Sequence, residues 1–390
     1  MAPARGSGTI IAGGSLAGFT TAQSLRSAGY SERIQIFSGE DTLPYNRPPL
    51  SKQILLGTWS SEKTLIATPE LMEKLEVEFH SGQNVDSLST ENQEVTVGRD
   101  TFEFEKLVIA TGVRARQLSH TATSKRTFTF RTLADALAIK GLIPELRTVG
   151  VIGSGVLGCE IASALSTLGK KVTIVDQIPL PNLPMTGGHV SGKIHELFTA
   201  NQVDMRMNTQ IESISEGEKS VRIELKDGAV FEVDVLIITI GSIANTEWLQ
   251  SSGIDISNGV LCDAKGEAKE NIFAVGDVAR WWSNSAGAAL KRENQSSAIE
   301  QGLAVGHFIA TGEESSISLP FFWSEIFGAK ITLTGTLEPE LPFEVLHGSI
   351  DEDTFVGATF RGDQMTGVIG WNMPKEFRQE RKKMEERANG

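Results

Sequence analysis

One alternation of apolar and polar positions occurs twice in this chain. Ile10-Ile11-Ala12 is a short apolar run, Gly13-Gly14-Ser15 a glycine turn, and Leu16 to Ala28 a helically spaced stretch that stops at Gly29. Val151-Ile152, then Gly153-Ser154-Gly155, then Val156 to Leu168 stopping at Gly169, repeat the series 140 positions later (153 − 13). Gly29 and Gly169 stand where a helix C-terminus calls for a left-handed residue. A β-rich run follows each helix, Arg33-Ile34-Gln35-Ile36-Phe37 and Lys171-Val172-Thr173-Ile174-Val175. The pattern predicts two strand–helix–strand units, a single internal duplication and not a solenoid.

Each unit closes on a buried strand that ends in glycine, Lys106-Leu107-Val108-Ile109-Ala110-Thr111-Gly112 and Val235-Leu236-Ile237-Ile238-Thr239-Ile240-Gly241. Strands are also expected at Val77–His80, Glu94–Val97 and Phe102–Phe104, after a proline-rich turn from Leu43 to Lys52. A third apolar strand, Asn271 to Asp277, opens a return segment with a helix from Gln295 to Ala310. From about residue 317 apolar and polar residues alternate, which reads as an antiparallel sheet, and a charged helix from Lys375 to Arg387 ends the chain.

A glycine turn at a helix N-terminus offers N–H groups and a positive dipole end to a pyrophosphate. Two such turns imply two dinucleotides, and the commonest chemical reason is hydride transfer from one to the other. Asp176 ends the strand after the second turn, 21 residues past Gly155, where a carboxylate accepts from a ribose 2′-hydroxyl and repels a 2′-phosphate. No arginine follows at Gln177 or Ile178, so NADH is expected over NADPH.

Bulk properties narrow the classes. At 390 residues two or three domains are expected, and 40% hydrophobic with 22% charged residues is a globular composition. A net charge of −13 argues against nucleic acid as a partner. No apolar run approaches the ~20 residues of a membrane span, and no membrane partner is expected. The segment Met1 to Gly8 lacks the apolar stretch of a signal peptide, so a cytoplasmic location is expected. Cys159 and Cys262 are far apart, with no C-x-x-C pair, and the six histidines have no metal spacing, so neither disulfide nor metal is assigned.

Taken together, Leu43-Pro44-Tyr45-Asn46-Arg47-Pro48-Pro49-Leu50-Ser51-Lys52, Ala110-Thr111-Gly112, Phe273-Ala274-Val275-Gly276-Asp277-Val278-Ala279 and Pro320-Phe321-Phe322-Trp323-Ser324, added to the two glycine turns, resemble the FAD-dependent NADH:ferredoxin reductases that serve cytochromes P450 and aromatic-ring dioxygenases. The similarity runs from about residue 8 to 378. It implies a glutathione-reductase-like α/β fold with two Rossmann-like dinucleotide-binding domains plus a C-terminal α+β domain. The FAD domain would be 1–115 and 241–316, the NAD domain 116–240 and the C-terminal domain 317–390. By resemblance Gly13, Ser15 and Gly18 hold the FAD pyrophosphate and Glu40 lies near the adenosine ribose. Arg47, Lys52, Thr111, Gly112, Arg116, Asp277 and Trp323 complete the FAD set. Gly153, Gly155, Gly158, Glu160, Asp176 and Gly241 form the NAD set. Lys52 and Glu160 face one another as the catalytic pair.

This chain departs from the family pattern at three places. Ser15 stands for the middle glycine, Ser38 and not an acid follows the second strand directly, and Glu293-Asn294-Gln295 lacks the usual aromatic. The expected function is electron transfer from NADH through FAD to a small iron–sulfur protein, by a monomer or homodimer. The absence of paired cysteines removes the thiol relay of the superfamily's disulfide reductases. Two rivals stay open on the residues alone: an NADH oxidase or diaphorase acting on oxygen or small quinones, and an apoptosis-inducing-factor-like redox-signalling flavoprotein. Lys291, Arg292, Arg378, Arg381, Lys382 and Lys383 are the candidate groups for docking an acidic partner.

Overall fold

The strand Thr9–Ala12 carries the unalternating apolar run Ile10-Ile11-Ala12 because it is buried on both faces within a parallel sheet. Its parallel neighbours are Ile34–Phe37 and Lys106–Ile109. Val77–His80 extends one side and Ile272–Ala274 the other, and Glu267–Lys269 finishes that edge antiparallel, giving six strands. The helix Leu16–Ser27 makes the crossover and ends before Gly29, whose φ is +87°. The helix Gln295–Thr311 lies against it through Gly302 and Gly306, where an added Cβ would meet the Ala17 carbonyl oxygen at 2.8 Å and the Ser24 Cβ at 2.5 Å. Ile10, Ile11, Phe37, Val108, Phe273 and Val305 belong to the core of this part.

The second glycine turn repeats the arrangement. Thr148–Ile152 lies between Lys171–Val175 and Val235–Ile238, with Asp204–Arg206 and Thr127–Thr129 at the edges, all parallel. The helix Val156–Thr167 makes the crossover and ends before Gly169, φ +75°. Three-stranded antiparallel sheets accompany both units: Ser87–Ser89, Glu94–Val97 and Asp100–Glu103 in the first, Ile211–Glu216, Val221–Leu225 and Val230–Val233 in the second.

The tail forms the expected antiparallel sheet, ordered Phe321–Ile326, Ala329–Gly335, Gln364–Trp371, Thr354–Arg361, Phe343–Ser349. The helix Pro374–Asn389 covers it with Phe377 and Met384, which stand over Gly370 and Gly335. This computed structural model describes residues 8–118, 124–284, 286–319 and 321–389. Residues 1–7 and Pro320, on which two of the expectations partly fall, lie outside them. The chain separates into two units, one of Met1–Asn46, Thr64–Arg114 and Ile243–Pro320, the other of Arg47–Lys63, Ala115–Ser242 and Phe321–Gly390. No helix among the described residues is long and apolar enough to cross a membrane.

Candidate active site

Both glycine turns pack backbone closely on backbone. Gly13 has φ +120°, and an added Cβ would stand 2.1 Å from the Ala110 carbonyl oxygen. At Gly18 the same atom would stand 2.1 Å from the Gly13 oxygen. Gly153 (φ +101°) and Gly158 repeat this against the Thr239 oxygen at 2.4 Å and the Gly153 oxygen at 2.0 Å. Gly13 and Gly153 combine a left-handed dihedral with this closeness, and Gly18 and Gly158 are fixed by closeness alone. Gly155 is different: nothing stands within 4 Å of its Cβ position, so the N-terminus of Val156–Thr167 is open where a pyrophosphate would approach. Ser15 takes the equivalent position before Leu16–Ser27 with extended backbone. These residues fit dinucleotides at both turns.

The acids that follow are held differently. In the second turn Ser154 gives both its N–H (2.6 Å) and its hydroxyl (2.8 Å) to Asp176 Oδ2. Asp176 therefore braces the turn as well as ending the strand. In the first turn Gly14 stands where the second has Ser154, and its Cβ position is 2.5 Å from the Ser38 Cβ. A side chain at position 14 has no room beside Ser38 and Phe79, so the first turn has no counterpart of the Ser154 brace. The Glu40 carboxylate accepts from the Tyr45 hydroxyl at 2.5 Å.

Lys52 and Glu160 are brought together. The proline-rich segment folds into a π-helical turn, Leu50–Ile54, in which the Ile54 N–H donates to the Pro49 carbonyl at 3.0 Å. That turn carries Lys52 to 2.5 Å from Glu160 Oε2, and the two side chains are only 9% and 7% exposed. The Lys52 Nζ also lies 5.0 Å from the centroid of Trp323, which is 38% exposed. Ser51 donates to Glu160 Oε2 at 2.6 Å and Ser324 to Oε1 at 2.7 Å. The sequence reading missed both serines, although each is the chain neighbour of a residue it named.

Arg47 donates from Nη1 to the Arg131 carbonyl at 3.0 Å. Thr111 donates to the Asn245 carbonyl at 2.8 Å, and Gly112 has φ +63° with nothing within 4 Å. The Arg116 N–H donates to the Gly241 carbonyl at 2.9 Å. Asp277 lies on the short turn Gly276–Val278, fixed where the Gln301 side chain accepts the Gly276 N–H at 2.8 Å. Gln295, in the place of the aromatic, donates to the Asn46 side chain at 2.9 Å.

Comparison with known proteins settles the family. Residues 8–302 match the model of the pyridine nucleotide-disulphide oxidoreductases, and 321–389 match that of the reductase C-terminal domain. This chain is a pyridine nucleotide-disulphide oxidoreductase. It is 30% identical over 371 residues to the ferredoxin--NAD(+) reductase subunit of the Pseudomonas putida benzene 1,2-dioxygenase system, covering 94% of this chain and 90% of that protein. Putidaredoxin reductase of the same species is 29% identical over 381 residues, covering 95% and 90%. The solved putidaredoxin reductase in covalent complex with putidaredoxin superposes with a TM-score of 0.93 at 26% identity, covering 98% of this chain and 93% of that one.

Despite the family's name, this oxidoreductase has no thiol suited to disulfide chemistry. Cys159 and Cys262 are both buried, on the helix Val156–Thr167 and the strand Val260–Cys262. Burial holds the Cys159 thiol far above the usual thiol range, with Glu160 and Asp176 adding to the shift, and pushes Cys262 up to about 12. Several of the candidate docking cations have acidic neighbours within the chain. Lys291 pairs with Glu293 at 2.7 Å, and burial lowers the pKa of Arg292. Arg381 pairs with Glu385, Lys382 with Glu386 and Lys383 with Glu380. Arg378 is exposed.

Proposed function

We propose that this flavoprotein takes electrons from NADH and delivers them, through FAD, to a ferredoxin-type iron–sulfur protein that feeds an oxygenase. The observation that carries it is the buried Lys52–Glu160 pair beside the exposed Trp323, in a chain with a glycine turn for each dinucleotide and only inert thiols. Bound together, NADH and FAD supply the redox chemistry, hydride taken in and single electrons given out.

The chain's own residues position and tune that chemistry. Gly13, Ser15 and Gly18 would receive the FAD pyrophosphate, with Glu40, Arg47, Lys52, Thr111, Gly112, Arg116, Asp277 and Trp323 along the rest of the cofactor. Gly153, Gly155 and Gly158 would receive the NAD pyrophosphate, with Glu160, Asp176 and Gly241 beside it. Lys52 keeps a positive charge where the reaction develops negative charge, and Glu160 fixes its ammonium. The proposed domains are 1–115 with 241–316 for FAD, 116–240 for NAD and 317–390 at the C-terminus. The reading places the protein in the cytoplasm as a monomer or homodimer.

The purified protein should be yellow, with one non-covalent FAD per chain, and Asp277→Ala should lose most of it. Flavin released by heat and identified by chromatography checks this. FMN, or no flavin, would contradict the proposal, and full occupancy in the variant would remove Asp277 from the FAD set.

NADH should exceed NADPH in kcat/KM by about ten- to a hundredfold, from charge repulsion and an unmatched phosphate. Because Asp176 also braces the turn through Ser154, Asp176→Ala should raise both KM values while moving the ratio toward one. An unchanged ratio would show that Asp176 braces the turn and does not select the nucleotide.

A further inference from the structure

Ser51 and Ser324 do nothing in the function just proposed, yet each puts a hydroxyl on the same buried carboxylate. Ser51 Oγ donates to Glu160 Oε2 at 2.6 Å and Ser324 Oγ to Oε1 at 2.7 Å, and both serines are themselves buried. Lys52 Nζ meets Oε2 at 2.5 Å. A carboxylate held by one cation can swing about its terminal bond and present either oxygen. Here each oxygen has its own donor, so the carboxylate plane is fixed and Oε2 is the oxygen turned to the lysine.

The donors arrive from different elements. Ser51 precedes Lys52 on the π-helical turn Leu50–Ile54, so the two approach Oε2 together. Ser324 follows Trp323 on the strand Phe321–Ile326, so the serine and the ring over Lys52 share one backbone. A second tie sets the height of that strand: Ser163, on the same helix as Glu160, accepts the Phe327 N–H at 2.7 Å. Two hydroxyls and one ammonium thus satisfy a carboxylate that burial would otherwise make costly.

We infer that Ser51 and Ser324 are positioning residues for the Lys52–Glu160 pair: their hydroxyls lock the Glu160 carboxylate in the orientation that holds the Lys52 ammonium in place. The inference rests on the reading that this pair serves the bound cofactors. The competing role is that of two staples that hold elements together and leave the lysine unaffected.

Acylation of Lys52 separates the two roles. The FAD-loaded full chain is treated with a small amine-reactive ester, Lys52 modification is followed by peptide mass spectrometry, and kcat and KM for NADH are measured with ferricyanide. Ser51→Ala and Ser324→Ala should each acylate Lys52 about three- to tenfold faster than the wild type, the net worth of one ordinary hydrogen bond. Their kcat should fall by a similar factor with KM for NADH nearly constant. Ser324→Thr keeps a hydroxyl and should behave as the wild type in both measurements. Alanine variants that melt earlier yet acylate Lys52 at the wild-type rate and keep kcat would overturn the inference. If Ser324→Ala does not fold, Ser51→Ala decides by the same criteria. Glu160→Gln separates the levels: wild-type acylation and kcat in that variant would overturn the role of the pair itself, whereas failure of the serine variants alone would leave the pair standing.

Discussion

Gly158→Ala should lower NADH-dependent reduction by more than about a hundredfold while the protein keeps its FAD. The added methyl would lie 2.0 Å from the Gly153 carbonyl oxygen and 2.7 Å from Thr239 Oγ1. The turn has no way to yield, because Gly153 is itself held at φ +101° against the Thr239 carbonyl. The start of Val156–Thr167 must then move away from the strand Thr148–Ile152, and a displacement of ~1 Å at a positioned substrate costs on the order of 10²-fold in rate. FAD is retained because its proposed turn, Gly13 to Gly18, belongs to another sheet. Flavin absorbance gives the FAD content, and anaerobic titration with NADH gives the loss of reduction. The matching change at Gly18 should do the reverse and empty the flavin site. Normal reduction by NADH in Gly158→Ala would mean that the second turn does not bind the nucleotide.

The second large effect is thermodynamic as well as catalytic. Lys52→Met leaves the Glu160 carboxylate buried with two hydroxyl donors and no cation. Breaking a buried pair from one side costs about 3–5 kcal/mol, because the remaining charge is uncompensated. Glu160→Leu strands the Lys52 ammonium in the same way, with Trp323 as its remaining neighbour. The double variant removes both charges and should recover a large part of the loss, held back by the Ser51 and Ser324 hydroxyls left without their acceptor. Reduction by NADH should be slow in all three variants. Denaturant midpoints for the four proteins close the cycle. Equal losses that simply add in the double variant would mean that the two side chains act independently, and wild-type turnover in the double variant would remove the pair from the mechanism.

The layout of the fold was legible because its signals are strong and local. Buried parallel strands read as uninterrupted apolar runs, and Gly29 and Gly169 mark helix ends that the structure places within a residue of the reading, at Ser27 and Thr167 against Ala28 and Leu168. The family motifs brought Lys52 and Glu160 to notice, and the structure puts them 2.5 Å apart across 108 positions (160 − 52). What stayed hidden depends on tertiary approach. Nothing in the spacing of Pro48-Pro49-Leu50 announces a π-helical turn, since the i+5 hydrogen bond that defines it has no sequence signature here. Ser51 and Ser324 carry no local signature, because serine is a common residue whose meaning comes from the acceptor it finds. The pairing of the basic residues on the last helix was also hidden, for Arg381, Lys382 and Lys383 lie beside Glu385, Glu386 and Glu380. The close approach of Gly14 to Ser38 and Phe79 is likewise a packing feature that sequence spacing does not expose.

The measurement that bears most directly on the central claim is cytochrome c reduction by the purified protein, NADH and a ferredoxin from an oxygenase system of the same source. The account expects rapid reduction only when all three components are present, with little NADH consumed when ferredoxin is left out. NADH consumption that runs as fast to oxygen or a small quinone without ferredoxin, or a long-lived reduced state that ferredoxin does not discharge, would contradict it.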